Sequence, residues 1–241
     1  GDVVHFELEP SVETANVHGR PNGVINEISD RKNYIVRKSV NLSKQTHIIA
    51  ANLDRVFLMV TLNNPPTLTP FIDRFLVSAE AYGIEAVLLF NKMDTYSQDE
   101  VFEVKYLIHI YQSIGYQCIE ISAVSGLNVD LLKGLMKDQV TLFSGHSGVG
   151  KSTLVNVIEN GLDLKTAQIS QQHMQGQHTT TFAEMYDLSF GGQIIDTPGI
   201  KGFGIVDLEP TDIGNYFPEF FAIKSQCKFN NCLHLEEPKC A

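Results

Sequence analysis

Eight residues, "GHSGVGKS" from Gly145 to Ser152, fit the pattern G-x-x-x-x-G-K-[ST] between an apolar run and a helical one. Glycines at these places let backbone N–H groups turn inward around phosphate oxygens, helped by the start of a helix. Lys151 would reach the β- and γ-phosphates, and Ser152 would place its hydroxyl on Mg²⁺. The expected phosphate-binding run is therefore Gly145, His146, Ser147, Gly148, Val149, Gly150, Lys151, Ser152 and Thr153. Within it, His146 is expected to turn its ring away, because backbone N–H groups do the binding there.

"DTPG", Asp196 to Gly199, ends the apolar run "QII". By itself it is an ordinary turn sequence. Downstream of a phosphate cradle it gains a second meaning: Asp196 at a strand end near Mg²⁺, and a Gly199 N–H able to sense the γ-phosphate. Between the two lies the polar stretch "QISQQHMQGQHTTTF", with Thr179 to Thr181 at its end. One threonine, Thr180, is expected to fold over Mg²⁺ and the γ-phosphate and to let go after hydrolysis.

"NKMD", Asn91, Lys92, Met93 and Asp94, follows the apolar run "AVLLF". Asp94 would accept from the guanine N1–H and exocyclic amine, a donor pair that adenine lacks at those positions. Asn91 would help on the Hoogsteen edge, and the Lys92 stem would cover the base plane. The turn "SAVSG" follows, in which Ser122 and Ala123 offer a backbone N–H to the guanine O6. These residues point to guanine over adenine.

Many GTPases place a Gln after the last glycine of the D-x-x-G run to orient the attacking water. Here that residue is Ile200, which cannot hydrogen-bond. Unaided turnover should be slow, and another group must place the water. His178, beside the threonines, is the candidate; the plainer reading is a solvated loop histidine, as His173 is taken to be.

Cys227, Cys232, His234 and Cys240 have the spacing C-x4-C-x-H-x5-C. Three thiolates and one imidazole make a closed tetrahedral zinc site, structural rather than catalytic. Cys118 lies in an apolar run and reads as a small core residue.

The elements that must position these residues show in the hydropathy pattern. Residues 1–46 contain "VVHFEL", "GVINEI" and "NYIVRKS", short β-branched and aromatic runs parted by turns, which suggest a small β-barrel. From residue 47 onward buried strands alternate with helical spacings. "RVFLMVTL", "EAVLLF", "QCIEIS" and "VTLFSG" read as strands, and Phe71–Tyr82, Glu100–Ile114 and "NVDLLKGLM" as helices. "FAEMYDLSF" and "GQIIDTPG" read as a strand pair. Alternation with near-continuous apolar strands implies an α/β layer domain with a mainly parallel sheet. The expected division is 1–46 (partial barrel), 47–222 (nucleotide-binding domain) and 223–241 (truncated zinc domain).

The chain has 241 residues and a net charge of −10, which by itself lowers the expectation of a nucleic-acid partner. No apolar run approaches the roughly 18 residues of a membrane span, and no export signal is visible. A reducing cytosol and a metal site therefore fit the cysteines better than disulfides do. The first residue, Gly1, and the last, Ala241, one past a cysteine, suggest pieces lacking at one or both ends.

In the ordinary order of a GTP-binding domain the phosphate cradle precedes the base-reading element; here "NKMD" and "SA" come first. This order is similar to that of a circularly permuted GTPase. With strands in front and "CKFNNCLHLEEPKC" behind, the chain resembles the bacterial ribosome small-subunit-dependent GTPase A family (RsgA, also called YjeQ) over essentially its whole length. "GHSGVGKST", "HTTT", "DTPG" and the zinc motif carry the likeness. The resemblance implies an OB-type barrel, a permuted GTPase domain and a zinc-binding domain. It implies GTP and GDP as ligands, Mg²⁺ with GTP, structural Zn²⁺, and the small ribosomal subunit with its rRNA as partner. It implies late maturation of that subunit, GTP hydrolysis stimulated by it, and a cytoplasmic monomer with no membrane contact. It also favours His178 as the residue that places the water. The departure from the family is truncation at both ends. A nucleotide-gated RNA- or protein-binding module with little hydrolysis is the alternative that Ile200 keeps open; an ATP-dependent enzyme conflicts with Asp94.

Overall fold

The structure, a computed structural model, describes residues 1–8, 23–38, 46–160, 162, 184–196, 208–209 and 211–241. Its centre is a six-stranded sheet with strand order β7-β6-β5-β8-β10-β9. The strands are β5 (Arg55–Val60), β6 (Glu85–Phe90), β7 (Gln117–Glu120), β8 (Val140–Ser144), β9 (Glu184–Asp187) and β10 (Gln193–Asp196). All neighbours run parallel except β9, which pairs antiparallel with β10 at the edge.

Strands covered on both faces need apolar side chains, and β5 meets that requirement from Val56 to its end. Val56, Phe57, Leu58 and Met59 are all 0% exposed. Each such side chain contributes about 1.5–3 kcal/mol through burial. Alternate residues serve opposite faces. Val56, Leu58 and Val60 pack toward Ile72, Phe75, Leu76 and Ala79 of helix α1 (Thr69–Ala81) and Val104 of α2 (Gln98–Ile114). Phe57 and Met59 pack with Leu132 and Met136 of α3 (Val129–Met136) and Leu154 and Val155 of α4 (Lys151–Ile158).

Helix starts differ slightly from those read off the apolar spacing, because capping rather than hydrophobicity sets them. α1 begins two residues before Phe71, with Pro70 pre-set for the first turn. α2 begins at Gln98, behind a capping box. The Ser97 hydroxyl accepts from the Glu100 N–H, and the Glu100 carboxylate accepts from the Ser97 N–H at 2.7 Å.

In front of the sheet stand two antiparallel pairs, β1 (Val4–Leu8) with β2 (Gly23–Ile28), and β3 (Tyr34–Lys38) with β4 (Thr46–Ala51). Among the described residues these form separate two-stranded sheets. The boundary expected at 46/47 falls inside β4. The β3–β4 ladder continues to Ala51, and the Asn33 carboxamide makes two 2.8 Å bonds to the Leu53 backbone just before β5.

After the sheet, a tight turn at Ile213–Tyr216 and helix α5 (Pro218–Ile223) lead to the cysteine cluster. Phe217 and Glu219 line a cavity of about 260 Å³ together with Asp73 and Leu76 of α1 and Tyr111 of α2. The C-terminal unit therefore rests on the outer surface of these two helices. Among the described residues no helix is long and apolar enough to cross a membrane.

Candidate functional site

Strand order reverses direction between β5 and β8. From β5 the chain adds β6 and β7 on one side, and then returns to place β8 on the other. A crevice opens beyond the carboxyl ends of strands at such a switch point, and ligands settle there. The segments that leave those ends here are 61–68, 91–97, 121–128 and 145–150. Three of the four carry the motifs picked out by residue type.

The segment leaving β8 carries the run expected to cradle phosphate. Gly148 and Gly150 have φ of +87° and +98°, and α4 begins immediately afterwards, with Lys151 and Ser152 at its first two positions. Lys151 and Ser152 are half-buried, while Ser147, Gly148 and Thr153 are exposed. A Cβ on Gly150 would stand 2.6 Å from Asn91 Nδ2, so only glycine lets the cradle approach the base-reading loop this closely. The His146 ring packs against Phe71 of α1, tilted by 33° with centroids 4.1 Å apart.

The segment leaving β6 carries Asn91 to Asp94. Asn91 is only 2% exposed, and its carboxamide joins two loops. Nδ2 donates to the Val149 carbonyl of the cradle at 2.7 Å, and Oδ1 accepts from the Ala123 N–H at 3.2 Å. A guanine O6 meeting that N–H would share it with Asn91. Lys92 takes a left-handed backbone at φ +69°, and its ammonium donates to the Asn64 carbonyl. Met93 begins the short turn Met93–Thr95 and packs against the apolar core. Asp94 is exposed, with Oδ1 held by the Ser122 hydroxyl at 2.5 Å. Its second oxygen is left to meet a ligand. Ser122 is itself fixed by the Ser125 N–H at 2.9 Å.

Residue types had not singled out the segment leaving β5, yet it braces the others. The Leu62 N–H donates to the Tyr96 hydroxyl at 2.9 Å, and that hydroxyl donates to the Asn91 carbonyl at 3.0 Å. Asn63 donates to Glu100 at 2.5 Å. No spacing signal marks these partners, because each bond joins residues far apart in the chain or mixes side chain with backbone. Burial raises the Tyr96 phenol above its ordinary range, so it stays a neutral donor. Backbone and side-chain hydrogen bonds from Ser97 hold Glu100 below the usual carboxylate range.

Asp196 ends β10, where Ile195 pairs with Leu142 of the strand that feeds the cradle. His173, His178, Thr180, Gly199 and Ile200 lie outside the described residues.

The second cluster gathers Cys227, Cys232, His234 and Cys240, with all four ligand atoms within 4.8 Å of one another. His234 Nδ1 stands 3.6 Å from Cys227 Sγ and 3.4 Å from Cys240 Sγ. Nitrogen and sulfur ligands on a zinc tetrahedron stand about 3.5 Å apart, given Zn–N of about 2.05 Å and Zn–S of about 2.3 Å. The donor set fits zinc in both chemistry and size. The Cys240 thiol is pushed up to about 11 by desolvation and by the crowding thiols Cys232 and Cys227, which is the situation a bound cation relieves. Cys118 stands apart, half-buried against the core; burial alone pushes it up to about 12, so it is an inert thiol.

Comparison with known proteins adds lineage to this geometry. A family model described as RsgA GTPase matches residues 28–206. The small ribosomal subunit biogenesis GTPase RsgA of Christiangramia forsetii is 66% identical over all 241 residues, which span 75% of that protein. Its counterpart in Flavobacterium psychrophilum is 64% identical over 241 residues, 72% of its length. The crystal structure of YjeQ from Thermotoga maritima superposes with a TM-score of 0.77 at 36% identity, covering 100% of this chain and 74% of that one. That of YloQ, a circularly permuted GTPase, gives 0.72 at 29% identity, with 100% and 71% covered.

Proposed function

The chain belongs to the RsgA GTPase family, and from that premise we propose how its residues work. It is a GTPase of small ribosomal subunit biogenesis that hydrolyses GTP to GDP and phosphate. One observation carries the reading: Asn91 ties the guanine-reading loop to the phosphate cradle at the sheet's switch point. One nucleotide can then be gripped at both ends.

In this reading Asp94 accepts from the guanine N1–H and amine, with Ser122 holding its other oxygen. Asn91 and Ala123 meet the Hoogsteen side, and Lys92 covers the base. Backbone N–H groups from Gly145 to Thr153 surround the phosphates, and Lys151 reaches the β- and γ-phosphates. Mg²⁺, when bound, neutralises developing phosphate charge; Ser152 and Thr180 would hold it, with Asp196 nearby. Gly199 senses the γ-phosphate. His178 positions the attacking water that Ile200 cannot.

An OB-type barrel built on β1 to β4, which carries the first boundary past 46 to about Ala51, a second division at about 222, and zinc held by Cys227, Cys232, His234 and Cys240 complete the proposal. The partner is the small subunit with its rRNA, and the protein acts as a cytoplasmic monomer. In many GTPases hydrolysis is completed by a partner-supplied group; here the subunit is the expected source of stimulation.

GTP and ATP turnover, measured with and without purified small subunits, tests this reading. GTP-only turnover that rises sharply with the subunit supports it. Tight GTP-dependent binding without turnover selects a nucleotide-gated binding module instead. His178→Ala should lower stimulated turnover far more than GTP affinity; equal losses in both, or no loss, would remove His178 from the mechanism.

A further inference from the structure

We infer that Tyr96 is a positioning residue for guanine selection, a role that rests on the GTPase reading and refines its base-binding half. Tyr96 follows the turn Met93–Thr95 that carries Asp94. Its hydroxyl reaches back to the start of the same loop and donates to the Asn91 carbonyl at 3.0 Å. Asn91 to Tyr96 is therefore a stapled loop, closed by a side chain at one end and a main-chain carbonyl at the other. The same oxygen accepts from the Leu62 N–H at 2.9 Å, which pins the staple to the segment leaving β5.

Two of the base-reading groups, Asn91 and Asp94, belong to this loop, and the third, the Ala123 N–H, is tied to it. At one end, the Asn91 N–H is held by the Val60 carbonyl at 2.8 Å, and its side chain spans Ala123 and Val149. At the other, Asp94 is steered by Ser122. Between them Lys92 adopts a left-handed backbone, a conformation that needs its surroundings to hold it. The Tyr96 hydroxyl is the only side-chain group given to the Asn91 carbonyl or the Leu62 N–H among the described hydrogen bonds. Removing it takes this partner from the Asn91 carbonyl and the Leu62 N–H at once.

The ring matters less than the oxygen, so Tyr96→Phe is the informative substitution. The readout is selectivity between GDP and IDP, which lacks the 2-amino group and so loses one of Asp94's two contacts. Wild-type protein should bind GDP more tightly than IDP, because Asp94 meets both donors only when the loop is set. Tyr96→Phe should weaken GDP roughly tenfold, the size of one buried hydrogen-bond pair left unmade, and weaken IDP much less. The GDP-to-IDP ratio then narrows. A loop that is merely less stable would weaken both ligands alike and leave the ratio unchanged, and that result overturns the proposal. Asn63→Ala, which cuts the neighbouring side-chain bond to Glu100 and leaves the side chains of Tyr96 and Asn91 and the backbone around them in place, serves as control and should preserve the ratio. If Tyr96→Phe proves fragile in titrations, the difference in Tm shift between GDP and IDP gives the same comparison on the folded fraction. A wild-type protein that does not prefer GDP to IDP or ADP would sink the GTPase reading itself. A wild-type preference that survives intact in Tyr96→Phe sinks only the role of Tyr96.

Discussion

Gly150→Ala tests how the two halves of the nucleotide site are joined. Gly150 has φ +98°, where a side chain costs about 1–3 kcal/mol in backbone strain. The new Cβ would also stand 2.6 Å from Asn91 Nδ2, well inside contact distance. Asn91 has little room to yield, being 2% exposed and bonded through both ends of its carboxamide. Displacing it breaks the 2.7 Å bond to Val149 and the 3.2 Å bond from Ala123, at about 1 kcal/mol each. Gly148→Ala is the matched comparison. Its φ is +87°, so the strain is shared, but its Cβ would meet only Pro65, at 3.3 Å. The two variants should differ by about 2 kcal/mol, or roughly thirtyfold in GDP affinity. Titration with a fluorescent GDP analogue, beside the Tm of each variant, reads the difference. Equal loss of affinity in both variants would show that Asn91 does not couple the cradle to the base loop.

Asp94→Asn replaces a carboxylate acceptor by an amide. GTP affinity should fall about a hundredfold or more, since a site built for hydrogen-bonded groups rejects a mismatch strongly; xanthosine triphosphate, with a carbonyl where guanine has its amine, should bind better than to wild type. Competition binding reads both. Asp54 should show a pH-dependent share in stability. Burial opposes its charge, but the Lys32 ammonium and the Val140 N–H outweigh that and hold its carboxyl below the usual range. A depressed carboxylate stabilises above its unfolded pKa of about 3.9 and loses that contribution as pH falls through its folded value. Urea melts of wild type and Asp54→Asn should differ at pH 7 by less than about 1 kcal/mol, given the exposure of the pair, and converge below about pH 4. Cys232→Ser removes the one buried ligand of the cluster. Bound zinc should fall well below one per chain and residues 211–241 should become protease-sensitive, while GDP affinity stays within about threefold, because structural zinc folds its own unit.

Much of this architecture could be read from residue types. After their first residues, Arg55 and Glu85, "RVFLMV" and "EAVLLF" are apolar throughout because both faces of β5 and β6 are covered, and that demand is visible in one dimension. The turn into α4 is equally legible: "GHSGVGKS" calls for a strand-to-helix turn with left-handed glycines, and Gly148 and Gly150 take that conformation just before Lys151. What was not legible is how the loops lean on one another. The carboxamide of Asn91 finds partners at Ala123 and Val149, and the Tyr96 hydroxyl finds one at Leu62. Each joins segments that are neighbours only after the sheet has brought them together. β4 escaped notice for a related reason: Thr46–Ala51 is an unremarkable run until β3 pairs with it. α1 and α2 start earlier than their apolar spacing suggests, because Pro70 and the Ser97–Glu100 pair act through backbone geometry that hydrophobic periodicity does not record.

The strand order also has a bearing on synthesis. A chain made from its N-terminus completes β5, β6 and β7 before β8, which lies some 80 residues beyond the end of β5. During that interval one side of β5, destined for the middle of the sheet, has no neighbour. A freshly made chain thus carries an open strand edge, apolar after Arg55, the kind of surface that invites pairing with another molecule. The guanine half of the pocket can take shape in this interval, with Tyr96 already able to close on Asn91. When β8 arrives it covers that edge and brings Val149 to the waiting carboxamide in one motion, so closing β5 and joining the two halves of the proposed nucleotide pocket are the same event, with β10 and β9 still to add beyond β8.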